Sequence, residues 1–262
     1  MLRGWGRVSA ARSVWGAKGG VSAATLLLPL LPLAAAADPS EGPPNWHLFS
    51  GVDATRNAAF AHQGLVWAPG GNLHQSGWRI RGELSSGVYR YEKRVVHEAP
   101  GFRQTHRFDV IGQSLAASIM PGYEWLGEGR GYKFYAGPAV DDDRTRPHDP
   151  DNQNHGTRVG FHGLAEAWVR VGETLIVDGS ARFEVPGPGY AIRLAARWEA
   201  ADWLTLEPEA ALLGEPEYRQ YRIGLFTDLY NTAALRIQIG AGWAFDDEGD
   251  GPYGGARIKS WR

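Results

Sequence analysis

The chain has 262 residues, of which 27 are basic, 29 acidic, 35 glycine and 11 tryptophan, and it contains no cysteine. The lack of cysteine excludes a disulfide scaffold, a thiolate metal site and a cysteine nucleophile. The formal charge of −2 argues against nucleic acid as a partner, because such proteins present a basic surface.

Residues 1–37 are predicted to be a signal peptide that is removed on export. Four basic residues and no acid precede an apolar run at 21–33, and four alanines follow it at 34–37. A membrane helix fits less well, because the run contains two prolines and is shorter than the roughly 20 residues that a span requires. Residues 38–262 then form one domain with a formal charge of −6, since four bases and no acids are removed.

From residue 46 onward, apolar and polar residues alternate in short stretches that are separated by turn residues. The alternation is clearest at 235–245, where Leu235 and Ile237 lie on one face and Arg236 and Gln238 on the other. This pattern predicts an all-β fold, an antiparallel transmembrane β-barrel of about 12 strands (10 to 14). The predicted strands lie near 46–53, 57–68, 77–91, 105–125, 131–140, 157–170, 173–185, 189–200, 203–213, 218–230, 234–245 and 251–261.

Two further patterns favour a membrane barrel over the alternatives, a soluble β-sandwich or a lipocalin-like barrel. Short predicted inner turns alternate with mostly longer outer loops, as in outer-membrane barrels. Most tryptophans fall at the predicted inner strand ends, where amphipathic rings favour the lipid headgroup layer. The inner turns are 126–130, 171–172, 201–202 and 231–233, and the outer loops are 92–104, 141–156, 213–217 and 246–250.

Charged residues of both signs fall opposite the apolar faces and are predicted to line the lumen. Such a lining favours cross-strand ion pairs that partly plug the barrel over an open pore that selects one charge. In a soluble protein, the same residues would form the solvated face. The predicted lumen residues are Arg79, Arg81, Glu83, Asp178, Arg182, Glu184, Arg193, Arg197, Glu207, Glu209, Arg222, Arg236 and Gln238.

Two segments carry residue types that suggest a chemical site, and both fit poorly. His74 and Ser76 suggest the pairing used by outer-membrane lipid hydrolases, yet they fall in a predicted inner turn with no clearly placed acid. The acidic segment 141–155 is rich in oxygen ligands, but a calcium loop that starts at Asp149 would lack its glycine and its final glutamate. We therefore expect no catalytic residue, no cofactor and no bound metal.

Five segments, in order along the chain, carry a resemblance to a known family. They are FSGVDATRNAAFAHQGLVWAPGGNLHQSGWRIR at 49–81, PGYEW at 121–125, GTRVG at 156–160, EPEYRQYRIGLF at 215–226 and GPYGGARI at 251–258. On these segments the chain resembles the cellulose biosynthesis protein BcsS family. The resemblance implies an exported accessory component of bacterial cellulose production at the outer membrane, and it implies no catalytic activity.

The expected function is that of a non-enzymatic outer-membrane accessory protein of bacterial cellulose biosynthesis and secretion. The alternatives are an outer-membrane lipid-modifying barrel enzyme and a small porin, with the 141–156 loop as its constriction. Expected partners are outer-membrane lipid and either the cellulose synthase or secretion complex or the cellulose chain. Aromatic faces suit sugar rings, although the tyrosines could instead form only an outer girdle. The predicted outer-loop contacts are Tyr218, Tyr221, Tyr253, His148, Asp149, Asp151 and Asn154.

Overall fold

The computed structural model describes residues 43–99, 102–152, 154–185, 189–201, 203–215, 218–247 and 249–261. The predicted signal peptide lies outside these residues. The described chain forms twelve strands: β1 (Trp46–Ala54), β2 (Ala58–Trp67), β3 (Gly77–Ala99), β4 (Phe102–Gly127), β5 (Arg130–Arg146), β6 (Gly156–Val171), β7 (Leu175–Val185), β8 (Gly189–Ala201), β9 (Leu204–Glu215), β10 (Tyr218–Asn231), β11 (Leu235–Asp246) and β12 (Gly249–Trp261).

The strands form a closed antiparallel barrel. Each strand pairs with the next one along the chain, and β12 pairs back onto β1, with His47 opposite Trp261 and Ala54 opposite Gly254. Within the barrel wall, closure leaves no sheet edge unpaired, which is the condition for a β-structure to cross a membrane. The predicted all-β barrel of about twelve strands is therefore confirmed, and most strand ends agree within two residues.

The outward faces of the strands form an apolar band around the barrel. Ile119, Leu194 and Ile223 lie in this band with exposed fractions of 55%, 60% and 63%. Side chains of this size rarely remain exposed as a continuous surface in contact with water, whereas lipid accommodates them. No helix in the described part of the chain is long and apolar enough to cross a membrane.

Tryptophans gather at the rim where β1 begins and β12 ends, which we call the inner rim; the opposite rim is the outer rim. Trp67, Trp78 and Trp125 point outward there and are 43–65% exposed, as a girdle requires. Two tryptophans differ from the prediction: Trp168 shares the inward face of Glu166, and Trp261 shares that of Lys259. The position of a tryptophan along its strand predicts the rim at which it lies, but the strand register decides whether its ring faces lipid or the lumen.

The β3–β4 hairpin projects beyond the apolar band at the outer rim. Past Tyr89, the register of β3 with β2 ends, and β3 continues in register with β4 alone. Its outward face is charged there: Arg90 pairs with Asp109 at 2.5 Å, and Arg107 with Glu92 at 3.5 Å. The predicted 92–104 loop is therefore wrong. Both faces are polar beyond the membrane, so the alternation that marks a strand disappears although the backbone pairing continues.

The predicted 141–156 loop is also shorter than expected. β5 runs to Arg146, so Asp141, Asp142 and Asp143 lie in the strand and pair with residues of β6. We call the remaining connection, residues 147–155, the mouth loop.

Candidate functional site

One side of the lumen holds a cluster of opposite charges, which we call the balanced cluster. Glu207 accepts hydrogen bonds from Arg193 at 2.7 Å and from Arg236 and Gln238 at 3.1 Å. The cluster contains four arginines (Arg193, Arg197, Arg236 and Arg257) and four carboxylates (Asp178, Glu207, Glu209 and Asp228). The predicted ion pairing of the lumen is confirmed, because these side chains come from six strands, β7 to β12, and meet inside the barrel.

A second group of charges, the inner cluster, lies on the other side of the lumen toward the inner rim. Arg79 pairs with Glu124 at 2.9 Å, and Arg81 pairs with Glu83 at 2.5 Å. Arg182 of β7 also binds Glu83 of β3, so this pair crosses the lumen. The inner cluster contains five cations (Arg79, Arg81, Lys133, Arg182 and Lys259) and three carboxylates (Glu83, Glu124 and Glu166).

The inner cluster encloses a cavity of about 190 Å³. Arg81 lies 4.3 Å over the ring of Phe49 and 5.6 Å from the ring centroid of Tyr135, so two aromatic rings form part of the wall. The complete lining is His47, Phe49, Arg81, Lys133, Tyr135, Glu166 and Lys259. Of these, only Arg81 was among the predicted lumen residues. The others lie on β1, β5, β6 and β12, of which β1, β5 and β12 are the strands whose alternation is weakest in the sequence.

At the outer rim, the mouth loop packs against the inward face of the projecting hairpin. Asp149 is 5% exposed and binds Lys93, and it accepts a hydrogen bond from the Tyr91 hydroxyl at 2.7 Å. Its backbone N–H donates to Thr145 at 3.0 Å. Burial alone would raise the pKa of Asp149, but the hydrogen bonds from Lys93 and Tyr91 outweigh it and lower the pKa below its usual value.

The other end of the mouth loop is held by different strands. Asn154 donates to the Glu215 carboxylate of β9 at 2.5 Å and accepts from Arg158 of β6 at 2.6 Å. Asn152 donates to Asp143 of β5 at 3.1 Å. The loop therefore links the β3 side of the barrel to β9 at the outer mouth.

The predicted outer contacts are divided between three locations. Tyr253 lies inside the barrel, 4% exposed, with Arg222 at 5.5 Å from its ring, so its prediction as a loop residue is wrong. Tyr218 also faces inward and donates to Asp246 at 3.1 Å, whereas Tyr221 points outward and is 53% exposed. Register explains these placements, because Tyr218 and Tyr221 are three residues apart and so lie on opposite faces.

In the mouth loop, His148 and Asp151 remain exposed, while Asp149 and Asn154 hold the loop. The ring of His148 packs edge-to-face against His155 with centroids 4.5 Å apart. Sequence reasoning missed the partners Tyr91, Lys93 and Glu215, because contacts between distant strands leave no periodic signal.

His74 and Ser76 lie in the inner connection between β2 and β3. The Ser76 hydroxyl donates to the Leu126 carbonyl at 3.2 Å and accepts from the Leu126 N–H at 2.8 Å. It therefore joins the start of β3 to the end of β4. Within the described residues, no group of three or more His, Asp or Glu side chains is arranged to hold a metal ion.

Comparison with solved structures shows likeness to other barrels at low identity. An outer membrane channel from Pseudomonas putida F1 matches with 10% identity and a TM-score of 0.48, covering 87% of this chain and 100% of its own. The translocator domain of the autotransporter NalP from Neisseria meningitidis matches with 11% identity and a TM-score of 0.46, covering 85% and 90%. The KdgM porin matches with 7% identity and a TM-score of 0.43, covering 82% and 98%. These similarities carry no conclusion about function.

The sequence comparisons are more specific. No curated protein matches the chain significantly. The family model of the cellulose biosynthesis protein BcsS matches residues 47–262. This range covers all twelve strands except for Trp46, the first residue of β1. The resemblance carried by the five sequence segments is thereby confirmed, and the chain belongs to the cellulose biosynthesis protein BcsS family.

Proposed function

We propose that this protein is a non-enzymatic outer-membrane accessory protein of bacterial cellulose biosynthesis and secretion. The observation that carries the proposal is a barrel with an apolar exterior in a chain whose family belongs to cellulose biosynthesis. The band gives the protein a place in a lipid bilayer, and among bacterial membranes the outer one holds closed barrels. Membership of the cellulose biosynthesis protein BcsS family supports a role in cellulose production at that membrane.

In this proposal, the outer mouth is the surface that meets the glucan or a secretion partner. The mouth loop is attached to the barrel wall through Asp149 and Asn154, so the backbone that carries its exposed side chains is held in place. A preformed surface loses less conformational entropy on binding than a free loop does. His148, Asp151 and His155 offer ring faces and hydrogen-bonding groups, which suit the apolar faces and the hydroxyls of a sugar chain.

The two alternative functions, a small porin and a lipid-modifying enzyme, would use the lumen and the inner connection between β2 and β3, respectively. A porin-like role is supported by the mouth loop, which packs on inward-facing residues, but the Arg182 to Glu83 pair crosses the lumen and opposes an open path. A lipid-modifying role would use His74 and Ser76. The Ser76 hydroxyl is bound to the Leu126 backbone, which supports a structural role for it instead.

The test removes the exposed side chains of the mouth loop and keeps its attachments through Asp149, Asn152 and Asn154. Of the three side chains removed, only Asp151 also forms an ion pair, an exposed one with Lys93 at 2.8 Å. Cells that express the variant with His148→Ala, Asp151→Ala and His155→Ala are compared with wild type for secreted glucan. We expect secreted glucan to fall toward the level of a strain that lacks the gene. The barrel should stay folded, as shown by heat-modifiable gel migration, because none of the three side chains packs inside it.

The matched control is His74→Ala, which removes an exposed histidine at the inner rim. This variant should leave both secreted glucan and membrane lipid composition unchanged. Normal glucan output from the folded triple variant would refute the outer mouth as the functional surface. A changed lipid product in His74→Ala would favour the lipid-modifying enzyme.

A further inference from the structure

The two charge clusters of the lumen differ in net charge. The balanced cluster has four cations and four carboxylates, so it needs no further ion. The inner cluster has five cations and three carboxylates, so it holds an excess of two positive charges. Unbalanced charge inside a barrel wall costs free energy unless an ion of opposite sign compensates it.

The excess positive charge of the inner cluster is concentrated at the cavity. Arg81 is paired with Glu83, and Lys133 lies 3.2 Å from Glu124. Lys259 also lines the cavity, and in the described part of the chain its amino group has no carboxylate within 4.0 Å; its described contact is with the Trp261 ring, at 5.3 Å from the centroid. Glu166 is the one carboxylate in the lining, and it lies 3.6 Å from Arg81 and 4.0 Å from Lys133. The lining therefore carries three cations and one carboxylate, which gives the cavity two excess positive charges.

We propose that this cavity is a binding site for a phosphate group, with Lys259 and Lys133 as its main ligands and Arg81 as the third. Hydrogen phosphate carries about two negative charges at neutral pH, which equals the excess of the inner cluster. Lysine and arginine supply charge-assisted donors to phosphate oxygens. The volume of about 190 Å³ is far larger than the roughly 10–15 Å³ that one water molecule requires, so a phosphate fits.

The position of the cavity indicates the side of entry. Lys259 is the third-last residue of β12, His47 is the second of β1 and Lys133 is the fourth of β5, so the cavity lies close to the inner rim. In the proposed orientation, a ligand therefore enters from the periplasm. This inference concerns a different part of the barrel from the outer mouth, so its failure would leave the proposed role of the mouth loop unchanged.

The experiment measures the binding of inorganic phosphate to the folded protein in detergent micelles by calorimetry, in a phosphate-free buffer with sodium chloride present throughout. Wild type should bind phosphate saturably. Lys259→Met should weaken binding at least tenfold, and Lys133→Met should do the same. Lys259→Arg should retain binding, because it keeps the charge. The matched control is Lys93→Met, which removes a lysine at the outer mouth and should leave phosphate affinity unchanged.

A second titration uses short-chain phosphatidylglycerol, so that a lipid headgroup can be distinguished from a free phosphate. Tighter binding of the lipid identifies a headgroup as the ligand, and tighter binding of phosphate identifies a soluble anion; both outcomes support the site. Folding of each variant is checked by heat-modifiable migration, and Lys133→Met serves as the test if Lys259→Met does not fold. Absence of saturable binding to folded wild type, or equal weakening by Lys93→Met, would overturn the proposal.

Discussion

The Asp149 carboxylate of the mouth loop binds the Lys93 ammonium of β3, although 56 residues separate them along the chain. With the hydrogen bond from Asn154 to Glu215, this pair holds the loop at both sides of the outer mouth. The loop is thus part of the barrel wall's hydrogen-bond network and not a free surface segment.

Asp149→Asn should release the loop while leaving the barrel folded. The substitution removes the buried charge that binds Lys93, and the remaining pair of Lys93, with Asp151 at 2.8 Å, is exposed and therefore weak. Because the chain has no cysteine, a spin label on His148→Cys reports the loop alone. The label should be immobile in the otherwise unchanged protein and mobile when Asp149→Asn is added. Equal mobility in both would show that Asp149 does not hold the loop.

The same label should show that the loop stays held over most of the pH range. The pKa of Asp149 is lowered, so its contribution is complete above the usual aspartate pKa of about 4 and is lost only as pH falls through the lower folded value. We expect an immobile label from pH 8 to pH 5 and mobility only below about pH 4. Release between pH 7 and pH 5 would contradict this assignment.

Glu207→Gln should destabilise the barrel more than any single change at the rims. Glu207 is 2% exposed and binds Arg193 and Arg236, so its neutralisation leaves the balanced cluster with four cations and three carboxylates. Loss of one partner from a buried ion pair costs about 3–5 kcal/mol. Urea unfolding in detergent measures the change. Glu199→Gln, at an exposed position at the end of β8, is the control and should shift the midpoint little.

Gly240→Ala should destabilise the barrel, whereas Gly254→Ala should not. A Cβ at Gly240 would lie 2.3 Å from two ring atoms of Phe226, which is fully buried and cannot move aside. At Gly254, the nearest atom would be 3.5 Å away, an ordinary contact. Overpacking of this kind costs about 1–3 kcal/mol. Similar unfolding midpoints for both variants would mean that the packing around Phe226 has room for an added methyl group.

Leu194→Arg should impair assembly into the membrane, and Leu194→Ala should not. Leu194 lies in the middle of β8 on the outward face and is 60% exposed. An arginine near the bilayer midplane costs about 2–4 kcal/mol in an outer-membrane barrel, whereas alanine removes bulk without adding charge. The folded fraction in cell membranes measures the effect. Normal assembly of Leu194→Arg would contradict a lipid-facing position.

The sequence allowed the barrel to be predicted because alternation has a period of two and records which face meets lipid. Residues 235–245 identify both faces of β11, and the structure confirms them. The projecting part of the β3–β4 hairpin could not be predicted, because both of its faces meet water and carry polar side chains. Pairing of backbone groups continues there without a pattern in the side chains.

The candidate sites were less predictable for a related reason. Alternation places Arg182 on an inward face, but nothing in it identifies Glu83 as the partner across the lumen. Likewise, the composition of the mouth loop indicated a polar surface segment, whereas Asp149 is buried by residues of β3. Tyr253 was predicted as an outer contact, but it lies inside the barrel, where Gly224 of β10 and Gly242 of β11 leave room for its ring.

The central claim, an outer-membrane barrel that presents its mouth loop to the cell exterior, is tested most directly by labelling two single-cysteine variants in intact cells. His148→Cys lies in the mouth loop, and Ala233→Cys lies in the exposed inner turn between β10 and β11. A maleimide on a polyethylene glycol chain too large for general porins is the reagent. We expect His148→Cys to be labelled in intact cells and Ala233→Cys only after the outer membrane is permeabilised. Labelling of Ala233→Cys alone in intact cells, or equal labelling of both, would contradict the account.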